Sequence, residues 1–308
     1  FSCTLKRYTM QKVNPRLEIR EKVINIIFIS VALLSSLLLL AMLLFILRES
    51  WPIWSQVGVM DFLSGTTWRP VSTPPQFGIA PMLLSTMWVA GGALLIAAPL
   101  GFGCAIFLAE FAPALVAAVL RPVLNMLTGI PSVVYGFLGA AVLIKFFEIR
   151  FDLASGESLF AASLVLAIMI LPFITANSEV ALRSVGPEYR DAAMSLGVSR
   201  QYLALRILVP LARKGMLGSL VLAFGRAMGE TMAVLMVAGN TLMLPFSWFN
   251  KGEPLPALIA LELGSSIPGT IHYQALFAAG LVLILMVIAV NLGVNLLLRR
   301  LRSGVKPF

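Results

Sequence analysis

Apolar residues along this chain gather into six long runs, divided by connections rich in Lys, Arg, Pro and Trp. The runs cover about Val23–Leu47, Met82–Leu108, Leu115–Phe147, Leu159–Leu182, Gly215–Leu244 and Tyr273–Leu298. About 20 apolar residues cross a bilayer core as a helix, and each run reaches that length. The third is longer than needed and is expected to tilt or lie partly outside the core. Pro99, Pro131 and Pro172 fall in or beside runs and mark kinks, which membrane helices tolerate where neighbours satisfy the freed carbonyls. The pattern predicts an all-α membrane protein with six transmembrane helices in one bundle. Three parts are expected: a basic segment at 1–22, the transmembrane domain at 23–298 and a basic tail at 299–308.

Composition agrees. The chain is 59% hydrophobic and 12% charged, where soluble domains hold about 45–50% apolar and about 25% charged residues. The net charge of +9 is not a nucleic-acid signature, because the charges cluster beside the runs, where topology and headgroups account for them. One side carries Lys6, Arg7, Lys12, Arg16, Arg20, Lys22, Arg121, Arg183, Arg190, Arg200, Arg206, Arg213, Lys214, Arg299, Arg300, Arg302 and Lys306. The other has only Arg48, Arg69, Lys145, Arg150 and Lys251. The positive-inside rule then places both termini in the cytoplasm of a multi-pass plasma-membrane protein. The first run is too long for a signal-peptide core and has no A-x-A-like exit, so it reads as an anchor that stays. Phe1 is not a natural start, and residues upstream are expected. Cys3 and Cys104 form no disulfide framework or metal spacing, and His272 has no ligand-type partner near it in sequence.

Two charges interrupt the fifth run. Arg226 and Glu230 would each cost roughly 2.5–3.5 kcal/mol at mid-bilayer, and such residues face a bundle interior or a pathway. Four apart on one helix, they share a face and can pair. Two readings stay open: an ion pair that locks helices, or a guanidinium that meets an anionic solute while Glu230 holds the fork and Thr231 adds a hydroxyl. Gly225 and Gly229 allow another helix to approach closely. Ser132 and Tyr135 in the third run either line the same path or serve as interhelical glue. The same holds for Thr175 and Asn177, while Glu179 and Arg183 read as a solvated interface pair. The outward connections Glu49–Ala80 and Pro245–His272 carry Trp51, Trp54, Trp68 and Trp248. These act as interface anchors or as a platform for an outside partner. A short helix is expected from Pro256.

The connection at 184–214 has structure of its own. Pro187 suits a first helical position and Glu188 the positive end of a helix dipole. Gly197 suits the residue just past a helix end. Ser199 caps a second helix, which Pro210 stops. Ala192 and Ala193 offer a small, smooth surface suited to a groove.

That spacing resembles the ABC importer permease pattern E-A-A-x3-G-x9-I-x-L-P, matched by Asp191-Ala192-Ala193, Gly197, Ile207 and Val209-Pro210, with Asp for Glu and Val for Leu. Gly225-Arg226-Ala227-Met228-Gly229-Glu230-Thr231-Met232-Ala233-Val234, Ile130-Pro131-Ser132-Val133-Val134-Tyr135-Gly136 and Gly239-Asn240-Thr241 look like the phosphate-specific (Pst) importer permeases of the PstC type. The resemblance spans Val23 to Leu298 and implies a type I ABC importer permease fold in a bacterial inner membrane. It implies a coupling helix with Glu188, Asp191, Ala192, Ala193 and Gly197 against a cytoplasmic ATPase. It implies as partners phosphate, a PstA-type permease, a dimer of PstB-type ATP-binding subunits and an extracytoplasmic PstS-type phosphate-binding protein. No G-x-x-x-x-G-K-[S/T] loop occurs in the sequence, so ATP and Mg are expected on the partner and no cofactor, metal or catalytic residue on this chain. The competing readings are a permease for another oxyanion and a self-sufficient secondary transporter, which would show paired inverted repeats.

Overall fold

The computed structural model describes residues 15–303. The basic residues expected before and after these positions lie outside them. Helix α1, Pro15–Gln56, is apolar on every face, with Phe28, Leu33 and Leu38 all exposed, as suits a helix solvated by lipid rather than one with a wet side. Ser35 and Ser36 return their hydroxyls to the Ala32 carbonyl, so neither leaves an open donor. The chain divides into two compact units at Glu49/Ser50, and the remaining elements belong to the second.

These elements are α2 (Val59–Ser64), β1 (Trp68–Arg69), β2 (Gln76–Phe77), α3 (Ala80–Ile106), α4 (Ala114–Gly129), α5 (Ser132–Leu138), α6 (Lys145–Phe151), α7 (Leu159–Arg183), α8 (Pro187–Ser195), α9 (Arg200–Tyr202), α10 (Val209–Met228), α11 (Met232–Leu235), α12 (Leu255–Glu262) and α13 (Ile271–Ser303). Wide π-turns at Phe107–Phe111, Gly139–Ile144 and Leu203–Leu208 follow α3, α5 and α9. Six helical stretches are long and apolar enough to cross a membrane: Arg20–Gln56, Ala80–Phe111, Ser132–Phe151, Leu159–Arg183, Arg200–Met228 and Ile271–Val294.

The core is built around α7. Its apolar window is 67% buried, against 33% or less for the other spans, which makes it the hub that α3 and α10 pack upon. Small residues set the spacing. A side chain at Gly92 would meet Ser163 at 2.5 Å, one at Gly101 would meet Ile174 at 2.8 Å, and one at Gly215 would meet Ala181 at 2.5 Å. Such contacts let backbones approach where lipid supplies no hydrophobic drive.

Two expected spans change shape. The third run breaks at Ile130-Pro131, which is extended (φ −70°, ψ 128° at Ile130). Proline lacks the N–H and forces its predecessor out of the helical region, so α4 stands apart and the span is Ser132–Phe151 rather than 115–147. In the fifth run, α10 ends at Met228 with Gly229 as its cap. The helix breaks there and the chain runs on through short α11 to the level of Ser158 at the start of α7, with Ala233, Val234, Val237 and Ala238 buried against the core. Hydropathy records that these residues avoid water, not whether they continue one regular helix. At the other end, Pro210 does not stop a helix. The wide turn before it passes the Val209 N–H to the Ala204 carbonyl, and the helix continues from Arg200 to Met228.

The connection after α11 is stitched to the start of α7. Ser158 donates to the Val237 carbonyl, Leu159 to Asn250, Phe160 to Trp248, and Gly252 to Ala238. Trp248 is half-buried and turns inward, its Nε1 donating to the Trp88 carbonyl at 3.1 Å, and Trp68 is buried. Both are packing residues; Trp51 is exposed. Short α12 covers a second core with Phe62, Trp68, Phe77 and Leu276. Glu262 at its end accepts from Trp68 Nε1 at 2.9 Å and lies 2.7 Å from His272 Nε2. His272 therefore has a partner that sequence proximity did not reveal. Nearby, Glu253 is buried; burial and the Glu262 charge push its carboxyl up to about 7.

The raised Glu253 pKa favours the neutral acid in the fold, so its stabilising effect is complete below the ordinary carboxylate value and is lost as pH rises through about 7. Glu253→Gln is expected to unfold at a higher temperature than the parent at pH 8, with the gain vanishing towards pH 4.5; thermal unfolding across that range in detergent checks it. A side chain at Gly136 would meet the Ala233 Cα at 2.9 Å, whereas one at Gly103 meets nothing within 4 Å. Gly136→Ala should cost about 1–3 kcal/mol by overpacking, and Gly103→Ala should leave the unfolding midpoint unchanged or raised.

Candidate functional site

Arg226 occupies the last turn of α10, where a cation complements the negative end of the helix dipole. Helical hydrogen bonding stops just beyond it: Gly229 N donates to the Arg226 carbonyl at 3.2 Å and Glu230 N to Ala227 at 3.3 Å. Glu230 is therefore not one turn above Arg226, and the expected ion pair is not formed. The Glu230 carboxylate instead accepts from Ala233 N at 3.3 Å, and the Thr231 hydroxyl donates to the Gly229 carbonyl at 3.3 Å. Arg226 is exposed on the surface of the chain and makes no ion pair or hydrogen bond among the described residues. A guanidinium carries five donors, and here all stay available to a group outside this chain.

The neighbouring glycines differ. A side chain at Gly225 would face Asn291 at 3.4 Å and Val287 at 3.7 Å on α13, so this glycine serves a helix contact. At Gly229 only carbonyls of its own helix lie within reach, and its role is the corner rather than the paired packing expected. Ser132 is the first residue of α5 and half-buried. Tyr135 is buried, and its hydroxyl donates to the Leu127 carbonyl at 2.9 Å across the Pro131 break. The phenol thus secures the bend between α4 and α5. Thr175 and Asn177 return their polar groups to Leu171 and Phe173 on their own helix.

At the far end of α7, Glu179 and Arg183 are joined by Arg121, which sequence proximity could not pair with them. Glu179 is not a solvated partner: it is buried and accepts from both Arg121 (2.9 Å) and Arg183 (2.8 Å). Burying a carboxylate is costly unless charges and hydrogen bonds compensate, and two arginines do so. Arg183 also donates to the Leu108 carbonyl at 3.0 Å.

Beside this cluster lies α8, the expected coupling helix. Its end is a Schellman motif: Gly197 N donates to Met194 at 3.0 Å and Val198 N to Ala193 at 3.1 Å, with Gly197 left-handed at φ +70°. Ser199 then caps α9 by accepting from Tyr202 N. Glu188, Asp191 and Ala192 face outward, whereas Ala193 is buried against Leu182, Leu203 and Leu208. The two alanines therefore do not form one surface: Ala193 docks the helix on its own chain and Ala192 is presented. Tyr189 and Leu196 are also exposed, and a cavity of about 340 Å³ between Val185, Tyr189, Leu211 and Gly215 adjoins the helix.

A family model described as "Binding-protein-dependent transport system inner membrane component" matches residues 97–306. A Bacillus subtilis protein named "Probable ABC transporter permease protein YqgH" is 40% identical over 75% of this chain and 74% of its own length. The Haemophilus influenzae "Phosphate transport system permease protein PstC" is 34% identical over 88% of this chain and 91% of its own. Among solved structures, a bacterial alginate ABC transporter in complex with an alginate-bound periplasmic protein matches with TM-score 0.62 and 15% identity, over 91% of this chain and 97% of that one. The six-helix permease fold expected from the sequence is the fold they share.

A β-branched residue at Gly197 is strained by roughly 1–2 kcal/mol in the left-handed region. Gly197→Val is expected to loosen the corner, seen as faster amide exchange over 187–202, with exchange in α7 unchanged.

Proposed function

The chain belongs to the family of binding-protein-dependent transport system inner membrane components, and from that membership we propose that it is one of two permease subunits of an ATP-driven importer of inorganic phosphate. The observation that carries this reading is the near full-length likeness to the Haemophilus influenzae phosphate transport permease, with Arg226 paired to no carboxylate among the described residues. A guanidinium fork matches phosphate oxygens two at a time, and its exposure suits a pathway shared with a second permease. In this reading Glu230 does not guard the arginine; it caps the turn that positions it.

The other half of the pathway is a PstA-type subunit, and a PstS-type binding protein delivers phosphate from outside. Both termini face the cytoplasm, as the distribution of Lys and Arg directs. This subunit performs no catalysis. PstB-type partners bind ATP and Mg, and their closure displaces α8 through the outward-facing Asp191 and Ala192. Alternating access follows from reorientation of the spans.

Co-expression with the two partner permease and ATPase genes, purification through a tag on this chain, and reconstitution in liposomes provide the test. The expected result is a complex of three subunit types whose ATP turnover rises with phosphate and its binding protein. Arg226→Ala should lower phosphate uptake about ten- to hundredfold, as loss of a charged hydrogen-bonding partner implies, with subunit composition unchanged. Transport by the single purified chain without ATP, or normal uptake by Arg226→Ala, would refute the corresponding part of the proposal.

A further inference from the structure

We propose that Arg190 is the positioning residue that carries displacement of α8 into the second span, through its ion pair with Glu110. The proposal rests on α8 being the coupling helix and adds the strut by which it acts.

A helix as short as α8, Pro187–Ser195, does not hold itself together in water. Two attachments fix it to the rest of the protein. One is Ala193, buried in the small core formed by Ala105, Leu182, Leu203, Leu208, Ala212 and Met216. That contact resists compression but is weak against pulling or sliding, because an alanine offers only a methyl group. The other is Arg190. Its Nη2 lies 2.7 Å from Glu110 Oε1, and its Nε donates to the same oxygen at 3.3 Å. The remaining reach is spent on backbone: Nη1 donates to the Val185 carbonyl at 2.7 Å and Nη2 to Leu182 at 3.1 Å. The side chains of Glu110 and Arg190 are only 11% and 24% exposed, so water competes little for this pair. Charge-assisted bonds in a planar fork fix direction as well as distance.

Glu110 sits where a force can be received. It belongs to the π-turn Phe107–Phe111 that ends the second span. Such turns occur as local widenings, often at functional sites. The Leu108 carbonyl within it accepts from Arg183 on α7. The end of α3 is thus tied to α8 by one arginine and to α7 by another. Further along, α3 lies close against α7 through Gly92 and Gly101, so a shift at its end is passed along a tightly spaced pair of helices. Glu179, Arg121 and Arg183 join α4 to α7 and reach the same turn at the Leu108 carbonyl, but do not touch α8, leaving Glu110–Arg190 as the ion pair made by α8 among the described residues.

The test uses the complete reconstituted transporter and three readouts: phosphate carried per ATP hydrolysed, the unfolding midpoint of the complex, and a disulfide cross-link from Ala192→Cys to the ATP-binding subunit. Glu110→Gln and Arg190→Lys are expected to keep the cross-link, the midpoint and most ATP turnover. Phosphate carried per ATP should fall roughly tenfold, within the span of coupling between sites. The exchanged double variant, Glu110→Arg with Arg190→Glu, should recover a large part of that loss. An unchanged transport ratio in both single variants overturns the strut. So does a proportional fall in ATP turnover and transport with a lowered midpoint, which marks a purely structural pair. A missing cross-link in the otherwise unaltered protein overturns the coupling-helix reading itself, and the strut with it.

Discussion

Inside a membrane, the polar groups left over when a helix ends have no water to turn to and must be satisfied by the protein. The interruptions in this chain obey that constraint. Where α10 stops, Gly229 and Glu230 return their N–H groups to the last turn. The chain that follows then bonds to the opening residues of α7. At the Pro131 break, the Tyr135 hydroxyl takes up the Leu127 carbonyl. At the end of α3 the widened turn leaves a carbonyl that Arg183 fills. The end of α10 is thus closed by its own last turn, while the Pro131 break and the end of α3 are each closed by a side chain from further along the chain.

Much of this was legible in the chain and some was not. The six crossings follow from runs of apolar residues, because length and hydropathy are all a bilayer asks of a helix. The Gly197 corner was legible for a similar reason: a left-handed residue after a helix, followed by a serine cap, is a local affair. The break in the helix after Gly229 was hidden, because Ala233 to Ala238 are as apolar in short α11 and the connection after it as they would be in one continuous helix. The rule that residues four apart can pair suggested Arg226 with Glu230, but it requires an unbroken helix between them, and Gly229 removes it.

Longer-range electrostatics lay beyond sequence inspection altogether. Arg121 and Glu179 are separated by 58 positions, and Glu110 and Arg190 by 80. Nothing in local spacing links them; only the docking of α3, α4 and α8 around the end of α7 does. Glu179, next to Arg183 in helical register, was visible as half of a surface pair. Its second arginine and its burial came from tertiary structure. The same is true of Glu262, which collects Trp68 and His272, distant in sequence but with ring centres only 6.2 Å apart.

The unbroken course of α10 has a geometric consequence. Its 20 residues make a rod about 30 Å long at 1.5 Å per residue, with the basic residues Arg213 and Lys214 near one end and Arg226 at the other. A tilt of about 6° pivoting at Val209 sweeps the distal tip through about 3 Å, comparable to the length of a hydrogen bond. A lever of that reach moves the Arg226 guanidinium by the span of one polar contact, with no rotamer change at its tip.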